Sequence, residues 1–392
     1  MTMTLLKPSS PVENRVVVAM SGGVDSSVAA ALLVEQGYEV IGMMMRLWSE
    51  PGHGAVAPPN RCCTPDQMAD ARRVADRLNI PFYVVDVQQQ FRQTIVQFFI
   101  DEHLRGRTPN PCLECNRQIR FTYLLNRALA LDAQFLATGH YARVRQERGQ
   151  YRLLRGVDTR KDQSYVLHML TQEHLAHVLF PIGEYTKAEV RRLAQRFALP
   201  VAEKHDSQDL CFLSDGDYRR FLAEHSPQAA ASGPILDRSA RELGQHRGLP
   251  FYTIGQRKGL GISAGEPLFV LQKDVRRNAL IVGTREQLGR RELLVRGVNW
   301  MSGVAPERPI PARVKIRYQA RPLAATVRPL ADGRVQVRLE EPAFGVTAGQ
   351  GAVFYDDEIC LGGGIIADED AAVDDAIAAD HERQLSAAGG VS

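Results

Sequence analysis

Two short strings in this chain carry residue types at spacings that could do chemistry. The first is Ser21-Gly22-Gly23-Val24-Asp25-Ser26-Ser27. Two consecutive glycines let a backbone turn tightly and bring its N–H groups close to an anion. A helix starting just beyond adds its positive end, and Ser26 and Ser27 add hydroxyl donors. The string is not a Walker A loop, which needs Gly-Lys-Ser/Thr, nor the Gly-x-Gly-x-x-Gly dinucleotide fingerprint. In a shorter string Asp25 would be a plain helix N-cap and the glycines a plain turn. The full seven residues fit a phosphate cradle.

The second string is Thr108-Pro109-Asn110-Pro111-Cys112-Leu113-Glu114-Cys115. Its prolines predict an extended, rigid loop carrying both cysteines, ahead of a helix that begins near Arg117. A thiol near a helix N-terminus, flanked by Arg117 and Arg120, has a lowered pKa and becomes a better nucleophile. The Cys-x-x-Cys spacing alone leaves a redox pair, a metal-ligand pair and coincidence all open. Zinc would need two further ligands, and the sequence has no second Cys-x-x-Cys or finger-spaced histidine pair. Cys211 follows the polar run Asp206-Ser207-Gln208-Asp209, and by itself a cysteine beside Phe212 more often packs than reacts. Cys62, Cys63 and Cys360 have the same bland reading, with Cys360 expected in the core. Six cysteines in 392 residues make a poor disulfide framework and fit a reducing compartment.

Strands and helices must hold these strings in place. The first half alternates short apolar runs with helical patterns. Strands are expected over 15–20, 39–45, 82–87 and 135–138, and helices over 28–36, 66–78, 91–104 and 119–131. Such alternation predicts an α/β domain with a doubly wound parallel sheet, its ligand beyond the carboxyl ends of the strands. The stretch from 215 to 284 is rich in Gly and Pro and reads as a small mixed domain. From 285 to 366 short β-type runs recur, with Asp332-Gly333 marking a hairpin, and a C-terminal β-barrel is expected. In Arg313-Val-Lys-Ile-Arg-Tyr318, alternation predicts one basic face of Arg313, Lys315 and Arg317, suited to RNA or simply to solvent. The domain expectation is therefore 1–214, 215–284 and 285–366, followed by an acidic, disordered tail over 367–392.

Composition narrows the function classes. The chain is 44% hydrophobic and 24% charged with a net charge of +3, ordinary values for a globular protein. The tail holds seven acidic residues against Arg383 alone, so the basic excess lies in the rest of the chain. That excess permits a phosphate-rich partner without requiring one. No stretch reaches the ~20 apolar residues needed to span a bilayer. Met1–Arg15 has no apolar core of signal-peptide type, so a cytoplasmic location is expected.

The phosphate string resembles the pyrophosphate loop of the PP-loop ATP pyrophosphatases (adenine nucleotide alpha hydrolase-like). The whole set is similar to the tRNA-specific 2-thiouridylases, the MnmA/TrmU family. The set comprises Ser21–Ser27, Thr108–Cys112, Ala137-Thr-Gly-His-Tyr141, Lys161-Asp-Gln-Ser-Tyr165, Asp206-Ser207 with Cys211-Phe212, Gly255–Gly261, and Gly349-Gln350 with Cys360–Gly364. The resemblance implies that Ala19, Met20, Ser21, Gly22, Gly23, Val24, Asp25 and Ser26, with Met45 and Gly139, hold ATP together with Mg2+. It implies that the C2 oxygen of the tRNA wobble uridine attacks the α-phosphate. Cys211 would take sulfur as a persulfide from a relay protein or cysteine desulfurase. Cys115 would then attack, leaving a Cys115–Cys211 disulfide as sulfur moves to the base and AMP departs. Asn110, Pro111 and Cys112 would touch the target base. Lys161, Asp162, Gln163, Arg317 and Tyr318 would touch the tRNA, with His140 and Gln350 aiding its recognition. Some members carry Asp at the position of Cys112, so the acid/base role has no assignment here. An iron–sulfur cluster on Cys112, Cys115 and Cys211 is the disfavoured alternative, and no other metal is expected. The rival functions are a PP-loop amidating ligase and an RNA-binding protein gated by ATP.

Overall fold

The computed structural model describes residues 14–50, 64–204 and 210–368. Its first strand, β1 (Arg15–Ala19), is a run of valines, and a β-branched run of this kind suits a strand covered on both faces. Val16 and Val18 enter one core with Val28, Leu32, Ala71 and Val190. Val17 enters another with Phe91, Phe99, Ile119 and Leu124. Helices α1 (Val24–Glu35) and α2 (Pro65–Leu78), with the helix Lys187–Arg196, cover the first face, and the helical runs 88–104 and 111–129 cover the second. α1 begins at Val24, earlier than apolar periodicity suggests, because Gly23 is its N-cap.

The chain continues through β2 (Glu39–Arg46), β3 (Phe82–Asp86), β4 (Phe135–Thr138), the hairpin β5 (Ala142–Glu147) and β6 (Gln150–Arg155), and β7 (Val178–Leu179). The first sheet has the order β3-β2-β1-β4-β7 with every neighbouring pair parallel. β1 lies between β2 and β4, so the strand order reverses there. The crevice beyond the carboxyl ends of β1 and β4 is where such a sheet holds ligand.

β8 (Gly233–Leu236), β9 (Glu242–His246), β10 (Phe269–Asp274) and β11 (Ala279–Gly283) form a second sheet in the order β10-β11-β8-β9. Its small core contains Ile235, Val270, Leu280 and Val282. The third unit is β12 (Gly289–Trp300), β13 (Ile310–Lys315), β14 (Leu323–Pro329), β15 (Val335–Phe344), β16 (Gly351–Asp356) and β17 (Ile359–Ile366). These follow the order β12-β15-β14-β13-β16-β17, and the pairing of β12 with β17 closes them into a six-stranded barrel. The Asp332-Gly333 turn joins β14 to β15 as expected, with Gly333 at φ +81. The β5–β6 hairpin, unforeseen from sequence, adds to the barrel sheet through Leu154 opposite Ile359.

Two expectations need correction. β13 stops at Lys315, which is buried beside Asp162 (3.8 Å). Its ammonium also lies 6.0 Å from the ring centres of Tyr165 and Tyr318. Arg313 and Arg317 are exposed, so the single basic face does not form: the chain leaves the strand and Lys315 turns inward to a buried carboxylate. The tail expectation also fails at its first residues. Residues 369–392 lie outside the described part, but Asp368 is engaged: its Oδ2 accepts from Arg107 Nε at 2.6 Å.

That ion pair belongs to the junction of all three units. Arg107 is 1% exposed, and its Nη1 donates to both oxygens of Glu102 at 3.1 and 3.2 Å. Thr108 N donates to Ala348 O at 3.0 Å and Gln350 Nε2 donates to Thr108 O at 2.6 Å, fastening this loop to the barrel. From the middle sheet, Lys273 Nζ donates to Arg107 O at 3.2 Å and Tyr252 O at 3.1 Å.

Asp368→Asn removes one of the two counter-charges that the guanidinium meets among the described residues, leaving Glu102 there, and should cost about 1–2 kcal/mol. A chemical-denaturation midpoint unchanged from wild type would show that Asp368 contributes nothing. A second expectation concerns Lys273, whose ammonium burial pushes from 10.5 down to about 7, with Asp368 opposing. Between those values the folded chain binds fewer protons than the unfolded one, so this residue makes stability rise with pH. The slope is at most about 1.4 kcal/mol per unit. Denaturation at pH 7 and 9 should show that rise in wild type and a flatter profile in Lys273→Met.

Candidate active site

At the carboxyl end of β1 the backbone turns through Gly22 at φ +69. A Cβ on Gly22 would lie 2.3 Å from Gln67 O, so α2 begins against the loop and leaves room only for glycine. Gly23 caps α1 with extended angles and no side-chain hydrogen bond, as a loop presenting first-turn N–H groups to an anion requires. Ser26 Oγ accepts from Ser21 N at 3.2 Å, and Ser27 Oγ donates to Gly23 O at 2.8 Å. The serines brace the loop as well as offering hydroxyls.

β4 brings Gly139 onto the same turn: a Cβ there would stand 2.6 Å from Ser26 N. Asp25, at the first turn of α1, accepts from Tyr141 Oη at 2.8 Å and from Lys187 Nζ at 2.7 Å. Gln163 Oε1 in turn accepts from Tyr141 N at 3.0 Å. The ends of β1 and β4 thus build one cradle from Ser21–Ser26 and Gly139. Met20, just past β1, and Met45 in β2 are buried, and Ala19 is partly buried against the second-face core.

The cysteine string folds differently from its expectation. Asn110 is a helix N-cap whose side chain accepts from Cys112 N at 3.1 Å, with Pro111 as first helical residue. Proline at that position loses no helical hydrogen bond, so it starts the helix well before Arg117. Cys112 and Cys115 therefore lie on a helix and not on an extended loop. From Cys115 to Leu124 the helix takes the wider π form, which is rare and recurs at functional sites. Cys112 is exposed, whereas Cys115 is buried in the second-face core with Leu113, Ile119 and Phe212. Cys211 packs against that same core. Arg117 pairs with Glu114, and Arg120 donates to Asn116 Oδ1, so both arginines are engaged. Asp206 and Ser207 fall outside the described residues, as do Cys62 and Cys63. Cys360 is core, and burial pushes its thiol up to about 12.

The remaining candidates divide by depth. Tyr318 is half-buried, and its hydroxyl is pushed up to about 12 by burial first, then by the neighbouring Asp162 and Cys112. Arg317 is exposed at the barrel rim and donates to Phe344 O and Gly345 O at 2.9 and 2.7 Å. Lys161 and Gln163 are half-buried. Asp162 is an interior hub and not a surface contact. Its carboxylate accepts from Gly156 N (3.2 Å), Ser164 N (3.1 Å) and Arg155 Nε (3.1 Å). His140 is also interior, 2.7 Å from Thr138 Oγ1 and between Phe121 and Phe180. Burial, then Arg120, holds it well below its usual pKa, so it is a neutral ring that fixes the turn after β4. Among the described residues no three His, Cys, Asp or Glu gather to hold a metal. Lys187 and Lys204 have no counterpart in the sequence expectations, because a lysine joined to a partner so far away in the chain leaves no local pattern.

Three family models match in chain order: "tRNA methyl transferase HUP domain" over residues 14–215, "tRNA methyl transferase PRC-barrel domain" over 219–284, and "Aminomethyltransferase beta-barrel domain" over 290–366. The chain is 49% identical over 355 residues to the tRNA-specific 2-thiouridylase MnmA 2 of Caldanaerobacter subterraneus subsp. tengcongensis, covering 90% of this chain and 98% of that protein. It is 51% identical over 353 residues to the tRNA-specific 2-thiouridylase MnmA of Chloroflexus aggregans, with coverage of 90% and 98%. A solved 4-thiouridine synthetase–RNA complex with bound ATP aligns over 55% of this chain and 51% of that chain, at 14% identity and a TM-score of 0.34.

The contact between β4 and α1 can be tested directly. Gly139→Ala puts a methyl group against backbone, and overpacking of this kind costs about 1–3 kcal/mol. The variant should melt lower and lose the thermal shift that a polyphosphate nucleotide gives wild type. A normal melting temperature with an intact nucleotide shift would mean that the two elements part freely.

Proposed function

The chain belongs to the tRNA-specific 2-thiouridylase family, and on that premise we propose that it uses ATP with Mg2+ to replace the C2 oxygen of the tRNA wobble uridine with sulfur. One observation carries the proposal: the phosphate cradle and the Cys115 helix belong to one parallel-sheet unit, with Cys115 and Cys211 on one core. The loop N–H groups and the α1 dipole stabilise the charge on the phosphates as the uracil C2 oxygen attacks the α-phosphate and pyrophosphate leaves. The adenylated base then has AMP as its leaving group, which divides one difficult displacement into two easier ones. Cys211 carries the incoming sulfur as a persulfide from a relay protein or cysteine desulfurase. The terminal sulfur bonds to C2 and AMP departs. Cys115 attacks Cys211 Sγ, forming the Cys115–Cys211 disulfide and releasing the thiolated base.

Asn110, Pro111 and Cys112 form the helix start that meets the base, with Cys112 its exposed side chain, and Arg317 and Tyr318 line the adjoining barrel rim toward the tRNA. Lys161 and Gln163 flank the same region. Asp162, His140 and Gln350 act from behind by holding these segments in place. The domain boundaries we propose are 1–214, 215–284 and 285–366.

Nucleoside mass spectrometry of tRNA incubated with the protein, ATP and a persulfide donor should show a gain of 2-thiouridine. Cys115→Ser should abolish that gain while retaining tRNA-dependent pyrophosphate release, because adenylation does not use the thiol. Thiolation by Cys115→Ser near the wild-type rate would remove Cys115 as nucleophile. Wild-type protein that cleaves ATP without thiolating tRNA would point to a ligase.

A further inference from the structure

The helix Lys187–Arg196 holds the phosphate loop at one point and the root of the Cys211 arm at another. Its Lys187 Nζ binds Asp25 Oδ1 at 2.7 Å. One turn on, Arg191 Nη1 donates to Ala202 O at 3.4 Å and Lys204 O at 3.3 Å. Lys204 then reaches back to the loop, its Nζ donating to Gly22 O at 2.9 Å and to Asp70 Oδ2 at 2.6 Å. Asp70 is braced by Arg73. Burial pushes the Asp70 carboxyl up, but the hydrogen bonds from Lys204 and Arg73 outweigh it and keep the group ionised. Loop, helix and arm root form a closed ring of polar contacts, with Lys204 joining arm to loop.

We propose that Lys204 is a positioning residue for sulfur transfer, orienting the Gly22–Gly23 peptide toward phosphate while fixing the root of the chain that carries Cys211. This rests on the thiolation proposal above. In a trans peptide the C=O and N–H point opposite ways. An ammonium holding Gly22 O therefore turns the Gly23 N–H away from itself, toward the anion side of the loop. Gly22 sits at φ +69, and a glycine there has several orientations open to it without an anchor. On the other side, Lys204 precedes Cys211 by seven positions in the chain, and Cys211 packs against the second-face core. No neutral side chain replaces the contact, because hydrogen bonds with an ionised partner are about twice as strong as neutral ones.

The test uses the full-length protein, tRNA and a persulfide donor. Calorimetry with α,β-methylene-ATP and Mg2+ gives nucleotide affinity, and steady-state thiolation gives KM for ATP and kcat. Lys204→Met should raise the Kd for the analogue and the KM for ATP about tenfold, as expected for a lost charge-assisted hydrogen bond. It should also lower kcat at saturating ATP. Lys204→Arg, which still reaches both acceptors, should restore most of both. Asp70→Asn breaks the same ion pair but keeps the ammonium on Gly22 O, and should change the Kd by less than about threefold. A wild-type Kd in Lys204→Met would overturn the proposal, and so would equal losses in Asp70→Asn, which would reduce the contact to general stability. Weakened binding with an unchanged kcat would remove the link to the arm. Wild-type protein that binds the analogue but forms no 2-thiouridine would sink the thiolation reading while leaving the Kd comparison intact.

Discussion

A buried guanidinium dictates much of the architecture. Arg107 is 1% exposed, and an unpaired charge at that depth would be prohibitively unfavourable. Among the described residues its counter-charges are Glu102 from the preceding helix and Asp368 from beyond β17. The barrel must therefore end beside the catalytic unit, and Lys273 of β10 closes the third side through the Arg107 carbonyl. The helix bearing Cys112 and Cys115 begins a few residues after this point. The placement of the proposed nucleophile thus follows from a charge balance to which all three units contribute.

A second buried carboxylate repeats the device. Asp162 is satisfied by backbone N–H groups of its own turn and by Arg155 of β6, while Lys315 approaches from β13. Burial pushes the Lys315 ammonium down, Asp162 opposes that, and Arg155 adds to it. A lysine whose place in the strand alternation suits RNA or solvent instead serves to register the barrel against the catalytic unit.

The parts legible in the sequence were those encoded locally. The valine run of β1, the Gly22-Gly23 turn and the strand–helix alternation each depend on neighbours in the chain, and each appears where expected. The helix start at Pro111 was misplaced because proline disfavours helix at the residue before it yet suits a first helical turn. The inward turn of Lys315, the pairing of Arg107 with Asp368 and the β5–β6 hairpin all depend on partners far away in the chain. Alternation alone could not distinguish a lysine facing solvent from one facing Asp162.

The β5–β6 hairpin has a consequence for anyone who would cut this protein into pieces. β6 meets β17 near Ile359, where the pairing of β12 with β17 gives out, and Arg155 N donates to Glu358 O at 2.8 Å. A fragment ending after the parallel-sheet unit would display β6 as a bare strand edge, a template for pairing with other chains. A fragment holding only the barrel would lose its cover at the same place. Recombining this barrel with a foreign catalytic half would therefore require the hairpin to travel with the barrel, even though the two lie far apart in the gene.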